Sequence, residues 1–390
     1  MKSYIILMLA TLALIAASRI TAAENKEEVQ LVPIEFDELP EAVRLSARRE
    51  FTDQSVIGVE KETDAGRLYY HVMFDVDGTE AGLRMSPKGE ILDSWHFPAG
   101  ETTLRPTHED VEYGPHDRNV FDLWLAESEK PTPLLICIHG GGFSGGDKSG
   151  IQGDAEMIRA MLDAGISVAA INYRLTEGGK NAYPIPMRDG ARAVQFLRHR
   201  ADRYNLDKNR FGAMGGSAGG CMLMWLGFHP DLSRQDHKDP VVRESSRLQV
   251  LAPFGGQSCL HIPTLENWFC VASLPLHPAY RPLFGLSMEG PIEWSADFDA
   301  SMRDASPITH LTTDDPPIYL IYEENRPMSE KPEPDVWVHH RIMGTKLKDA
   351  MQKLRLECHV EYPGGPRILE YSSQREFLIR KLMERPEPHR

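Results

Sequence analysis

Two glycine-rich motifs, G-G-S-A-G at 215–219 and H-G-G-G-F at 139–143, carry the residues best suited to covalent chemistry. Ser217 follows the apolar run Phe211 to Met214 and precedes a helical stretch. In that strand–turn–helix setting a G-x-S-x-G serine is lifted above a sheet, and glycines flank it because the turn leaves no room for Cβ atoms. The N–H of Ala218 then points where an oxyanion would form. The second motif closes the apolar run Leu134 to Ile138, so Gly141 and Gly142 can turn their N–H groups toward the same point. Donors of this kind are worth about 3–4 kcal/mol each in acyl transfer. Serine attack on a carbonyl, with Gly141, Gly142 and Ala218 as oxyanion donors, is the chemistry these motifs allow.

The elements needed to hold them are visible in the pattern. Apolar runs at Leu134 to Ile138, Ile166 to Ile171, Phe211 to Met214, Leu248 to Pro253, Pro317 to Tyr322 and Leu356 to Glu361 alternate with helical stretches. The clearest of these are Asp154 to Leu162, Met187 to Arg203, Ala218 to Phe228 and His340 to Leu354. Continuous apolar strands alternating with helices predict an α/β fold, a doubly wound and mainly parallel sheet covered on both faces. Ligands bind outside the carboxyl ends of such strands, where both motifs lie.

Between the motifs stand N-Y-R-L at 172–175, Y-P-I-P at 183–186 and Asp189. From Leu134 to Gly220 the protein closely resembles the hormone-sensitive-lipase and feruloyl-esterase-like (BD-FAE) branch of the α/β-hydrolases, and S-P-I-T-H-L-T-T-D-D-P-P at 306–317 also matches that branch. The resemblance spans roughly 115 to 382. It implies an esterase working through Ser, Asp and His, with no metal and no organic cofactor, on a small-molecule or polysaccharide ester.

The C-terminal half departs from that pattern. The family carries an Asp in a D-x-x-V-P setting soon after the strand matched here by Pro317 to Tyr322. Here the stretch E-E-N-R-P-M-S-E-K-P-E-P intervenes before D-V-W-V-H at 335–339. Asp335 matches the motif position, displaced by an insertion, with Glu323 and Glu324 as alternatives nearer the strand. The family's His follows the last strand, where this protein has Y-P-G-G-P-R-I-L at 362–369 and no His. His359 precedes it within a predicted strand, and His389 is in the tail. His340 or His339, beside Asp335, is the remaining base, His340 being the first choice. A serine without a base is a poor nucleophile. The sequence therefore fits an esterase with a relocated base, a degenerate hydrolase fold that binds an ester or glycan, or a scaffold whose N-terminal domain carries the biology.

The segment from Gln257 to Asp304 is longer than a core connection needs, and its Trp268, Phe269, Tyr280, Phe284 and Trp294 suit a lid, a pocket wall or ordinary packing. The hydrolase domain is expected over 105–385, with this insert at about 257–304.

Upstream, Lys2, the apolar run Tyr4 to Ala17 and Thr21-Ala22-Ala23 form a signal-peptide pattern over 1–23, too short to span a bilayer. Export to the periplasm or beyond follows, with no membrane span after cleavage. Residues 24–33 are polar and read as a linker. Over 34–97, Val43, Ala47 and Phe51 mark a helix, and short alternating segments divided by Asp64-Ala65-Gly66, Asp77-Gly78 and Lys88-Gly89 predict a four-stranded antiparallel meander. L-P-E-A-V at 39–43, Y-Y-H-V at 69–72 and S-P-K-G-E-I-L at 86–92 make this small α+β domain resemble PepSY-like (β-lactamase-inhibitor-like) modules, which implies binding or regulation.

The net charge of −14 and the lack of a Lys/Arg cluster exclude nucleic acid as a partner. Five cysteines give no complete disulfide framework, although Cys259 and Cys270 could pair in an oxidising compartment. No Cys/His spacing resembles a zinc site.

Overall fold

The computed structural model describes residues 30–384 apart from Asp53, 65–66, 77–78, 97–103, Gly153 and 330–331. The segment read as a signal peptide lies outside the described residues. Backbone contacts divide the protein into two units, Met1–Thr102 and Thr103–Arg390. No described helix is long and apolar enough to cross a membrane.

The first unit is an antiparallel sheet of five strands in sequential order, β1 (Gln30–Pro33), β2 (Ser55–Asp64), β3 (Arg67–Val76), β4 (Thr79–Met85) and β5 (Ile91–His96), with helix α1 (Glu41–Glu50). Val43 and Ala47 of α1 are fully buried against Val72, Phe74 and Leu83, and Phe51 stacks on Phe74 at 4.6 Å between ring centroids. The sequence reading is corrected at one edge. Residues 30–33, read as linker, pair with Glu60–Thr63 as a fifth strand. An edge strand fills its hydrogen bonds on one side only and needs no apolar alternation, so composition does not reveal it.

The second unit holds an eight-stranded sheet in the order β13-β12-β11-β10-β8-β9-β7-β6. Its strands are β6 (His108–Glu112), β7 (Val120–Trp124), β8 (Thr132–Ile138), β9 (Ser167–Ile171), β10 (Leu206–Gly216), β11 (Val250–Phe254), β12 (Ile318–Ile321) and β13 (Cys358–Glu361). From β13 to β9 all neighbours are parallel, while β7 joins β9, and β6 joins β7, antiparallel. This is the doubly wound, mainly parallel sheet that the apolar runs predict.

Every residue of β8 is buried because the strand faces two cores. Leu134, Ile136 and Ile138 point into one core with α3 (Ile185–His199), α4 (Ala218–Phe228) and α8 (Ile342–Lys353). Leu135 and Cys137 point into the other with α2 (Ala155–Asp163) and α9 (Gln374–Met383). The backbone leaves β8 for β9 on one side, then crosses to β10 on the other. The loop after β8 and the turn after β10 therefore meet at a topological switch point, where doubly wound sheets place their ligands.

Helix α4 is buried along all eleven residues, so it must lie tightly against the sheet. Two glycines permit this. A Cβ on Gly219 would lie 2.1 Å from the Ile138 carbonyl oxygen, and one on Gly215 would lie 2.5 Å from it. Gly219→Ala is therefore expected to push α4 off β8 and cost on the order of 3 kcal/mol, the upper end for overpacked cores. Urea unfolding should show a lowered midpoint; an unchanged one would mean that α4 can shift freely.

Candidate active site

Ser217 sits between β10 and α4 with φ 50° and ψ −117°, a backbone region that residues with a Cβ rarely adopt. Its N–H donates to the Phe254 carbonyl at the end of β11 at 2.8 Å, which fixes the turn. The hydroxyl is half-buried and opens into a cavity of about 240 Å³.

Gly141, Gly142 and Ala218 line that cavity beside Ser217. Gly141 and Gly142 have φ of 101° and 57°, and a Cβ on Gly141 would lie 2.4 Å from the Gly145 carbonyl oxygen. Among the described residues, no protein acceptor takes the N–H of Gly141, Gly142 or Ala218. The motif residues that the sequence singles out are thus brought together.

The glycine loop is braced from behind. His139 stacks on Tyr173 with centroids 4.3 Å apart, and the Tyr173 hydroxyl donates to the His139 carbonyl at 3.1 Å. His139 Nδ1–H donates to the Gly140 carbonyl at 2.8 Å, and Arg118 donates to Nε2 at 3.3 Å and to the Gly146 carbonyl at 2.9 Å. Burial, aided by the Arg118 charge and opposed by the Gly140 bond, lowers the His139 pKa to about 4. Farther along, Asp189 accepts two side-chain bonds from Arg174, at 2.6 and 2.8 Å, and anchors α3 beneath the loop that follows β9.

The imidazole facing Ser217 belongs to His339. Its Nε2 lies 2.9 Å from Ser217 Oγ, and its Nδ1 lies 3.0 Å from the main-chain oxygen of Asp335. A carbonyl can only accept, so Nδ1 carries the hydrogen and Nε2 presents its lone pair to the serine hydroxyl. The first choice, His340, is corrected. It is 2% exposed, donates from Nε2 to the Arg326 carbonyl at 2.9 Å and accepts the Ile342 N–H at Nδ1. Both of its nitrogens hold backbone, so it cannot serve as a base.

Asp335 is also placed differently from expectation. Its carboxylate, 87% exposed, takes a bond from His277 Nε2 at 3.1 Å, while its carbonyl orients His339. Of the alternatives, Glu323 is exposed, and Glu324 pairs with Arg326, which holds its carboxyl down at about 2. Neither lines the cavity.

A short helix, α7 (Pro334–Val338), aims the imidazole. Trp337 is fully buried and donates its indole N–H to the Pro275 carbonyl at 3.0 Å; Gln257 donates to the Val338 carbonyl at 2.9 Å. Gly255, at φ 56°, clears the space: a Cβ there would come within 3.4 Å of the His339 ring.

The insert supplies the opposite wall through Gln257, Leu260, His277, Ala279, Tyr280 and Leu283. Of its five aromatics singled out above, only Tyr280 reaches the cavity; Phe269 packs edge-on against His340 at 5.6 Å and Trp294 is 51% exposed. His277 is a site residue that no motif announces. Ala279 N–H occupies its Nδ1 at 3.2 Å, and burial lowers its pKa, opposed by Asp335 and reinforced by the neighbouring His339. The Cys259–Cys270 pairing does not occur; both thiols are free, Cys259 buried and Cys270 exposed.

A serine hydroxyl bonded to an oriented imidazole, in a cavity lined by glycine backbone, is an arrangement suited to acyl transfer. The BD-FAE family's sequence model matches residues 121–329. LipM of Mycobacterium tuberculosis (strain ATCC 25618 / H37Rv), which carries the name probable carboxylic ester hydrolase, is 28% identical over 267 residues, 63% of this chain and 57% of its own length. Esterase LipQ of the same organism is 24% identical over 250 residues, 61% of this chain and 53% of its own. The match thus spans little more than half the length of these curated relatives. A truncated carbohydrate esterase from gut microbiota shares the fold, with a TM-score of 0.55 and 18% identity over 74% of this chain and 99% of that one.

Two outcomes follow from this geometry. His340→Ala should lower stability by about 1–3 kcal/mol, the cost of stranding buried partners, in chemical denaturation; His339→Ala should leave stability nearly unchanged. The His139 pKa lies below its unfolded value near 6.5, so the unfolded protein binds the extra proton first. The stability that neutral His139 contributes is full above pH 6.5 and declines as pH falls toward 4. His139→Gln should flatten that part of the stability–pH curve; an unaltered slope would show that His139 is not the titrating group.

Proposed function

The chain belongs to the BD-FAE family, and on that basis we propose that it is a serine esterase in which Ser217 is the nucleophile and His339 the base. The observation that carries this reading is the 2.9 Å contact between Ser217 Oγ and His339 Nε2. As Oγ attacks the ester carbonyl, its proton passes to Nε2. Gly141, Gly142 and Ala218 donate to the oxyanion. The imidazolium then returns the proton to the departing alkoxide, and a water repeats the sequence on the acyl-enzyme. Throughout, Nδ1–H stays on the Asp335 carbonyl, which holds tautomer and orientation in place of a carboxylate.

The cavity, about 240 Å³ and walled by Phe143, Leu260, Tyr280, Leu283 and Val338, suits a short acyl group or a small alcohol. The relatives' names as ester hydrolases support the same reaction class. The pattern at 1–23 supports an exported enzyme, and the L-P-E-A-V, Y-Y-H-V and S-P-K-G-E-I-L motifs support a PepSY-like accessory module ahead of it.

A fluorophosphonate probe should label the protein at Ser217, and Ser217→Ala should abolish labelling and p-nitrophenyl acetate hydrolysis. A folded protein that neither labels nor hydrolyses would overturn the serine-esterase reading. His339→Ala should cost at least ~10³-fold in kcat. Asp335→Asn keeps the carbonyl and should retain kcat/KM within about tenfold, whereas a carboxylate triad member would lose about 10⁴. A loss of that size would assign the orienting role to the carboxylate.

A further inference from the structure

Away from the serine, the far end of α4 gathers three side chains of a different chemistry. His229 caps the C-terminus of α4, Asp304 ends α6 (Ala296–Asp304) in the insert, and His310 ends the 3₁₀ turn Pro307–His310 that leads toward β12. One ligand atom from each lies within 4.8 Å of the others. We propose that these three residues form a zinc-type divalent cation site that ties the insert to the elbow helix.

Four observations support it. First, each imidazole already donates one N–H to a main-chain carbonyl: His229 Nδ1 to Pro230 at 2.9 Å and His310 Nε2 to Asp304 at 2.6 Å. That is the outer-shell bond which fixes a metal-binding histidine's tautomer and raises the basicity of its other nitrogen. Second, the Tyr183 hydroxyl donates to one Asp304 oxygen, Oδ2, at 2.6 Å, orienting the carboxylate. Third, Trp225 brings two of the three together, its ring 4.1 Å from that of His229 and its indole N–H on the Asp304 carbonyl at 3.1 Å. The two imidazole rings lie with centroids 4.7 Å apart, tilted by 55°. Fourth, His229 caps the C-terminus of the eleven-residue α4 and Asp304 ends the nine-residue α6, two helix ends that favour a positive charge.

Two imidazoles and one carboxylate suit Zn²⁺ in tetrahedral geometry, with a fourth position left for water. Metal–ligand distances of about 2.0–2.2 Å would require the three groups to draw in by roughly an ångström. Rotation of Asp304, the exposed member of the three, can supply that. Asp304 belongs to the insert that walls the cavity, whereas His229 belongs to the helix that carries Ser217. The ion's effect is therefore on the stability of the insert's attachment, and it does not depend on the esterase reading.

The test uses the full-length protein stripped with a chelator and titrated with Zn²⁺ by calorimetry, and with Co²⁺ followed by visible d–d absorption. One equivalent of Zn²⁺ should bind, Co²⁺ should give the intense tetrahedral spectrum, and the melting temperature should rise on metal addition. His229→Asn and His310→Gln, which keep polar side chains at both positions, should each weaken that binding at least tenfold and remove the metal-dependent rise. Asp304→Asn should do the same. The proposal is overturned if the wild-type protein binds no stoichiometric metal. It is equally overturned if the folded His229→Asn and His310→Gln variants bind as tightly as wild type, which would place the metal on other histidines.

Discussion

The approach of α4 to β8 is the constraint on which the rest of the site depends. With no side chain at 215 or 219, the helix settles against the Ile138 carbonyl, and the turn between has only one way to close. Ser217 absorbs the difference at φ 50° and ψ −117°. Such a conformation costs of order 1–3 kcal/mol and persists only where surrounding structure over-determines it. Here the surroundings are a helix buried along its whole length and a main-chain bond from Ser217 to β11. The same packing sets the β8 loop beside the serine, since Gly215 pairs with Ile138 in register. A Cβ on Gly140 would lie 2.9 Å from the Gly216 carbonyl oxygen, so the two loops touch through backbone alone.

Opposite this rigid half stands a second half assembled from short pieces. Helix α7 has five residues, too few to hold itself, and it is fixed by what its side chains and carbonyls reach. Trp337 ties it to the insert, Gln257 to the end of β11, and His340 to the loop after β12. The orienting group for His339 is a helix-end carbonyl, one of the last four that no intrahelical N–H can satisfy. A neutral carbonyl fixes the tautomer as a carboxylate does, but it stabilises an imidazolium less. The Asp335 carboxylate, facing solvent and His277, adds a screened negative charge nearby.

The small N-terminal sheet follows simpler rules. One face covers α1 through alternate residues of β3, Tyr70, Val72 and Phe74, and that alternation is why its strands can be read from composition. Only β1 escapes such a reading, since its partnership is on one edge.

Local chemistry in the sequence determines the parallel sheet, the elbow serine and the glycine loop. Strand and turn demands are met by sequence neighbours, so G-G-S-A-G and H-G-G-G-F carry their own geometry. The pairing of Ser217 with His339, 122 residues apart, is decided by tertiary structure. The Asp335-to-His339 spacing of four does place the two on one helical face, a signal that favours His339 over His340. Yet which of two adjacent histidines turns inward depends on Arg326, Ile342 and Trp337 holding the others, and those contacts exist only once the insert and the loop after β12 have packed. His277 reaches the cavity by the same long-range packing, which no local pattern encodes.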